Sequence, residues 1–392
     1  MIEKVLQGRP SFYTWLAFLG GVIALGGTFY AYQLVVGLRA TDLSRDVSWG
    51  FYIAQFTYMV GVAASAVMLV LPAYFHNYTK FKKMIILGEF LAVGACVVCM
   101  LFIFVDLGQP QRVLNVILHP SPQSVMFWDM VVLSGYLFLN ILIGWVTLES
   151  ERHQVPPPNW IKGFIYLSIF WAFSIHTVTA FLYAGLPGRD YWLTAIMGAR
   201  FLASAFCSGP ALLLLLTFIV RRLTGFDPGQ EAVRTLTKIV AYAMGINIFL
   251  FGLEMFTASY SGIPGLGAAK TAMFMGHDGQ ALWINKWMWA SVVLAVVSFV
   301  LIAIPGTRDN EKLLPFTLVM LVIATWIDKG LGLIWGGFTP TPFDTFTPYA
   351  PNLVEIMVSL GVYAIGALIV SVLWKIALDV KKEAGTFYKP AA

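Results

Sequence analysis

The residues with the most chemical promise are ionisable groups inside long apolar runs, where a charge is costly to keep. His176 lies in FSIHTVTAF, Glu89 in ILGEFLAVG and the pair Asp328–Lys329 in TWIDKGLG; Asp106, Asp129, Glu254 and Glu355 lie toward the ends of similar runs. An unperturbed imidazole titrates near neutrality, and a positioned carboxylate can take or give a proton. Side chains of these types at that depth can therefore exchange protons with a ligand headgroup that arrives through the membrane. Asp328 and Lys329 read either as a charge pair or as a separate cap. Asp106, Glu254 and Glu355 read equally well as residues of the membrane interface.

Chemistry that needs a resident metal is not expected. Of five histidines, only His176 lies well inside an apolar run, so two facing imidazoles for an internal b-type haem are lacking. Four thiolates for an iron–sulfur cluster cannot come from Cys96, Cys99 and Cys207. Those three lie inside apolar stretches, which also argues against a disulfide framework. No nucleotide-binding or zinc-protease pattern is present.

The elements that must position these groups follow from composition. The chain has 392 residues, 59 % hydrophobic and only 11 % charged, against about 25 % charged in ordinary soluble proteins. A soluble enzyme, a disordered chain and a disulfide scaffold are excluded. What remains is an all-α polytopic membrane protein. About 20 apolar residues are needed to cross a hydrocarbon core as a helix, and ten segments qualify, at roughly 11–38, 49–75, 84–106, 124–148, 161–185, 198–220, 236–258, 282–304, 313–336 and 352–378. The runs are too long and unbroken for barrel strands. The first is also too long for a signal-peptide core, and reads as an anchor that stays.

Ten crossings put both termini on one side. Of the 25 Lys and Arg residues, 17, from Lys4 to Lys389, fall on that side, so the termini are expected in the cytoplasm. The net charge of +5 then reads as basic loops against an anionic leaflet rather than a nucleic-acid surface. The opposite connections, 106–123, 259–281 and 337–351, are long and rich in Gly, Pro and aromatics, which suits docking or function. At 1.5 Å per residue, His176 and Asp328 lie in the outer half of the bilayer. Glu89 alone sits about one turn from the cytoplasmic end.

Two function classes fit this pattern: a quinone-reactive subunit that passes electrons to a partner, and a proton-coupled secondary transporter. Transporters are marked by helices broken near the midplane, and Gly209–Pro210 is a candidate break in the sixth helix. FYIAQFTYMVGVAASA and ARFLASAFCSGPA suggest an internal repeat. Helices two to five and six to nine would form two four-helix bundles, with helices one and ten flanking. Asp106 would then correspond to Glu254, His176 to Asp328, and Gly61 to Gly209.

Longer stretches carry a resemblance. RDVSWGFYIAQFTYMVGVAASAVML, FVDLGQPQRVLNVILHPSPQSVMFWDM and SIHTVTAFLYAGLPGRDYWLTAIMGARFLASAFCSGPALLLL resemble the NrfD/polysulfide-reductase membrane-subunit family over most of the chain. Within it they are most similar to the branch serving DsrMKJOP-type complexes of sulfur-metabolising prokaryotes, and next to the branch of quinone reductase complexes. The resemblance implies two four-helix bundles and a menaquinone site near the outer surface. It also implies a periplasmic ferredoxin-like iron–sulfur partner (DsrO-like) on the outer loops. Further implied partners are a DsrJ-like c-type cytochrome, a DsrM-like haem-b subunit and a DsrK-like iron–sulfur subunit. The lack of haem and cluster ligands in this chain agrees with that division of labour.

On this reading His176 and Asp129 serve the quinone headgroup. Ser48, Trp49 and Tyr52 open the second helix on the outer side and line the pocket. Arg189 and Arg200, with Asp190, lie near the junction of the two bundles, where they orient the headgroup or hold the partner. Asp106, near Arg112, forms an outer proton exit. Glu89, Glu254 and Asp328 are candidates for further proton transfer, although no ladder of acids joins Glu89 to the outer group.

Overall fold

The computed structural model describes residues 1–76, 78–262, 264–341, 343 and 345–387; Lys389, one of the terminal-side cations, lies outside them. A bilayer offers no water to backbone N–H and C=O groups, so a spanning segment must satisfy them internally. Among the described residues ten helices are long and apolar enough to span: α1 (Pro10–Val36), α2 (Phe51–Phe75), α3 (Thr79–Asp106), α4 (Val125–Arg152), α5 (Ile161–Ala184), α6 (Met197–Thr224), α7 (Gln230–Tyr260), α8 (Trp283–Ala303), α9 (Leu314–Gly337) and α10 (Leu353–Glu383). The chain is an all-α multi-pass membrane protein.

Helices α2, α3, α4 and α5 pack in a ring, and α6, α7, α8 and α9 pack in a second. The rings meet where α2 and α5 lie on α6 and where α2 lies on α9. Helix α10 packs along α3, and α1 packs along α10. The two described ends lie on one face: the N-terminal segment contacts α10, and Lys4 is hydrogen-bonded to Glu383. Lys381 on the same face donates to both oxygens of Glu151, at 3.0 and 2.9 Å.

Three local features differ from the sequence expectation. The break falls in α2, not at Gly209–Pro210. Residues Phe51–Ala63 and Val67–Phe75 are helical, and Ala64–Ala66 form a turn tightened by Ala64 N–H to Gly61 O (3.3 Å) and Ser65 N–H to Val62 O (2.9 Å). Helix α6 runs through Pro210 unbroken. The two features meet: a Cβ on Gly209 would lie 3.0 Å from Ser65 N and 3.1 Å from Gly61 O, so the absent side chain lets α6 press against the turn in α2. Second, Ile327–Gly332 in α9 form a wide π turn, a feature frequent at functional sites. Third, the connection 259–281 contains a twelve-residue helix, Pro264–Met275, lying against α7, α8 and the end of α9.

Candidate functional site

The face opposite the termini carries an aromatic cluster built from both bundles. Trp49, just before α2, has its ring centroid 5.8 Å from Tyr183 of α5 and 5.9 Å from Trp192. Trp192 lies 5.3 Å from Phe338 and donates from Nε1 to Leu333 O (2.8 Å). Gly337 permits this packing, since a Cβ there would lie inside the Trp192 indole. Arg189 stands with its guanidinium 4.3 Å above the Phe338 ring and donates to Gly337 O (3.3 Å). Burial lowers the affinity of Arg189 for its proton.

Beneath this cluster lies His176, fully buried, with neither Nδ1 nor Nε2 hydrogen-bonded among the described residues. A buried imidazole without partners is an unmet hydrogen-bonding demand of the kind that calls for an explanation. On the same helix, Thr179 Oγ1 is 2.6 Å from Asp129 Oδ1 of α4 and 2.7 Å from Ile175 O. One hydroxyl proton faces two acceptors, so Thr179 holds the Asp129 carboxyl in place beside His176. One turn further along, Tyr183 is hydrogen-bonded to Thr57 of α2. His176, Asp129, Thr179 and Tyr183 thus descend from the aromatic cluster into the first bundle.

In the second bundle lies a buried ion network. Arg200 of α6 donates to Asp328 Oδ1 (2.9 Å) and Oδ2 (2.8 Å) of α9, and to Glu254 of α7. Lys270, from the helix Pro264–Met275, reaches to 3.5 Å from Glu254 Oε2 and stands 4.3 Å over the Tyr191 ring. Two cations thereby face two carboxylates, as burial of ions requires. Burial pushes the Lys270 ammonium down to about 8, with Glu254 and Asp328 opposing that shift. A space of about 10 Å³ is lined by Arg200, Asn247, Asp328 and Lys329, and one of about 40 Å³ by Asn247, Ser291, Thr325 and Asp328. Each is of the scale of one to a few waters, and Asp328 borders both.

Lys329 joins the bundles. Its Nζ donates to Phe201 O (3.3 Å) and stands 4.6 Å above the Phe201 ring. A Cβ on Gly61 of α2 would lie 3.0 Å from the same Nζ. The π turn is what lets two consecutive residues face inward, Asp328 to Arg200 and Lys329 toward α2. They are not a pair with each other, so the reading of Asp328–Lys329 as a local charge pair is corrected.

The remaining candidates separate from His176. Tyr52 donates to Gln33 Oε1 (2.6 Å), and Gln33 Nε2 donates to Val105 O (2.7 Å). Tyr52 therefore belongs to a cluster at the end of α1, α2, α3 and α10. There Glu355 accepts from Tyr349 Oη (2.5 Å) and from Asp42 N–H (3.1 Å). Burial above all, and then the Glu355 carboxylate, raise the proton affinity of the Tyr349 phenol. Asp106, at the end of α3, keeps Oδ1 buried and unpartnered. Ser48 and Asp190 are exposed. Glu89 is buried near the terminal face, its Oε2 unpartnered and 3.3 Å from where a Cβ on Gly144 would stand. Among the described residues no group of three or more metal-ligating side chains converges.

Three residues escaped the sequence reading. Lys270 lies in the connection 259–281, where its one signal is isolation in the apolar run GLGAAKTAMF. Thr179 and Tyr183 are three and seven residues beyond His176, on the same helical face, and that spacing could have found them.

Comparison with known proteins gives a consistent result. Residues 40–338 match the family described as polysulphide reductase, NrfD. A provisionally named membrane subunit of a dimethyl sulfoxide reductase from Halobacterium salinarum is 27 % identical over 91 % of this chain and 89 % of its own. The Hdr-like menaquinol oxidoreductase integral membrane subunit of Archaeoglobus fulgidus is 22 % identical over 94 % and 93 %. The menaquinone reductase integral membrane subunit of Nitratidesulfovibrio vulgaris is 23 % identical over 93 % and 91 %.

Proposed function

The chain belongs to the polysulphide reductase NrfD family of membrane subunits, and from that premise we propose that it exchanges electrons between menaquinol or menaquinone and an iron–sulfur partner. Two relatives bear names that tie them to menaquinol or menaquinone. The observation that carries the reading is His176: an imidazole sealed in the first bundle, with two unpartnered nitrogens, below an aromatic cluster and beside the Thr179–Asp129 contact. These groups fit a neutral ring that offers hydroxyl or carbonyl oxygens. When bound, a quinol supplies two electrons and two protons.

The protein's share is positioning and proton handling. His176 presents a ring nitrogen to a headgroup oxygen and takes its proton. Asp129 holds a second proton, its carboxyl oriented by the Thr179 hydroxyl. Trp49, Tyr183, Trp192 and Phe338 exclude water above the imidazole, and Arg189 presents a cation at the rim. Ser48 marks the edge of the same rim. Tyr52 acts one cluster away, where Asp106 and Glu355 relay protons to the surface. Arg200 holds Asp328 and Glu254 in place, a second group of proton-exchanging side chains in the other bundle. Glu89 serves proton uptake at the terminal face.

The electron partner docks on the face opposite the termini, over connections 106–123, 259–281 and 337–351, with the termini in the cytoplasm and the chain in the cytoplasmic membrane. The partner is a periplasmic ferredoxin-like iron–sulfur protein of the DsrO type, alongside DsrJ-like, DsrM-like and DsrK-like subunits. The chain itself is of the DsrP type, with the QrcD type the nearest competitor, in anaerobic sulfate-linked respiration. The alternative, a proton-coupled transporter, drew on a break at Gly209–Pro210; α6 is continuous there, and the break lies in α2 at Ala64–Ala66 instead.

The test is His176→Phe in the assembled complex, with quinol-dependent electron transfer followed at several pH values. Loss of a positioned acid–base group lowers turnover by about a hundredfold or more. Full activity with an unaltered pH profile would refute the assignment.

A further inference from the structure

A second place in the molecule is built to receive a long amphiphile, away from His176. A cavity of about 580 Å³ lies between α10, the two bundles and α1. It runs along α10 from Ile356 to Ser371, about 22 Å at 1.5 Å per residue. Its walls are apolar, and among the described residues no Asp, Glu, Lys, Arg or His lines it. At one end, however, stand Gln55, Tyr58 and Ser359, all buried.

Gln55 is oriented unambiguously. Its Oε1 accepts from Trp326 Nε1 and from Tyr363 Oη, each at 2.7 Å. Two donors fix which end of the amide is oxygen, so Nε2 must point elsewhere, and it has no acceptor. Ser359 Oγ across the cavity has none either, and Tyr58 Oη, three residues along on the same face of α2, makes no close hydrogen bond, with Thr325 near it. Buried donors without acceptors in an otherwise apolar slot ask for a ligand that brings acceptor oxygens.

We infer that this slot holds a second molecule of isoprenoid quinone, its ring carbonyl accepting from Gln55 Nε2 and Tyr58 Oη and its tail lying along α10. The inference rests on the quinone reading above and adds a site to it. A phospholipid would bring a phosphate, for which the lining offers no cation. With no carboxylate or imidazole in the lining, the slot has no group to take the quinol's protons. It is a holding site from which quinone exchanges with the bilayer, not a site of turnover.

The full chain in phosphatidylcholine nanodiscs, irradiated with a menaquinone analogue bearing a diazirine on its tail, tests this by mass mapping of the labelled peptides. Label is expected on α10 between Leu360 and Val370, removed by excess menaquinone and unaffected by added phosphatidylcholine. Tyr58→Phe removes only a hydroxyl that makes no close hydrogen bond within the protein, Thr325 being near it, so the fold is retained, and it lowers that labelling about fivefold, the scale of one neutral hydrogen bond. Ala367→Phe fills the slot and abolishes the labelling. Label confined to peptides around His176, or α10 labelling indifferent both to Tyr58→Phe and to menaquinone, overturns the holding site and leaves the function standing. An absence of label throughout the chain sinks both.

Discussion

Lys270→Met provides a quantitative test of the ion network in the second bundle. Lys270 is buried, and burial drives its ammonium from the ordinary lysine value of 10.5 down to about 8 despite the neighbouring carboxylates. At about 1.36 kcal/mol for each tenfold change in proton affinity, keeping this lysine charged costs about 3 kcal/mol of folding free energy. The sign follows from linkage. Below pH 8 the lysine is protonated in both folded and unfolded chains, and the cost is present in full. Between pH 8 and 10.5 the folded chain gives up its proton first, so the cost fades and the wild-type protein gains stability relative to the variant. Methionine fills similar volume with no charge to desolvate. At pH 7 the variant should therefore unfold at a higher temperature, by on the order of 5 °C, and the gap should shrink toward zero by pH 10. Intrinsic fluorescence of the 13 tryptophans during heating at pH 7, 8, 9 and 10 reads the gap directly. A gap that is constant with pH, or a variant less stable at pH 7, would refute the reasoning.

Asp328→Asn leaves Arg200 buried with one carboxylate partner, which should cost about 3–5 kcal/mol; the thermal midpoint of purified protein checks it, and an unchanged midpoint would show that the network contributes nothing to folding. Glu89→Gln in the assembled complex should leave quinol oxidation nearly intact while reducing proton uptake from the terminal side, with electron transfer and proton stoichiometry measured separately. Unchanged stoichiometry would remove Glu89 from any proton path.

The spanning helices were legible because the bilayer demands long apolar runs, and their ends fall within a few residues of the hydropathy pattern except at α3, α7 and α10. There the polar stretches before Met84, before Leu236 and after Leu378 continue the helix beyond the apolar run. The choice of partners was not legible. Arg200 and Asp328 are 128 residues apart, and no local pattern joins them. Lys329 pairs on paper with its sequence neighbour because the π turn that separates the two has no signature in IDKGLG. The turn at Ala64–Ala66 is set by the approach of Gly209 from another helix, whereas Pro210 remains inside a continuous one. For the site, residue type and depth singled out His176 and Asp129. The cluster that takes in Tyr52 depended on Gln33 and Tyr349, from helix faces that only packing brings together.

The wide turn in α9 has a mechanical consequence. It fits more residues into one circuit than the coil on either side, so adjacent side chains of opposite sign look into different halves of the molecule. Asp328 is gripped by Arg200 inside one half, while Lys329, the next link of the same backbone, bonds to Phe201 O and stands against Gly61 of the other half. Six residues of polypeptide thus pin two separately packed halves to each other.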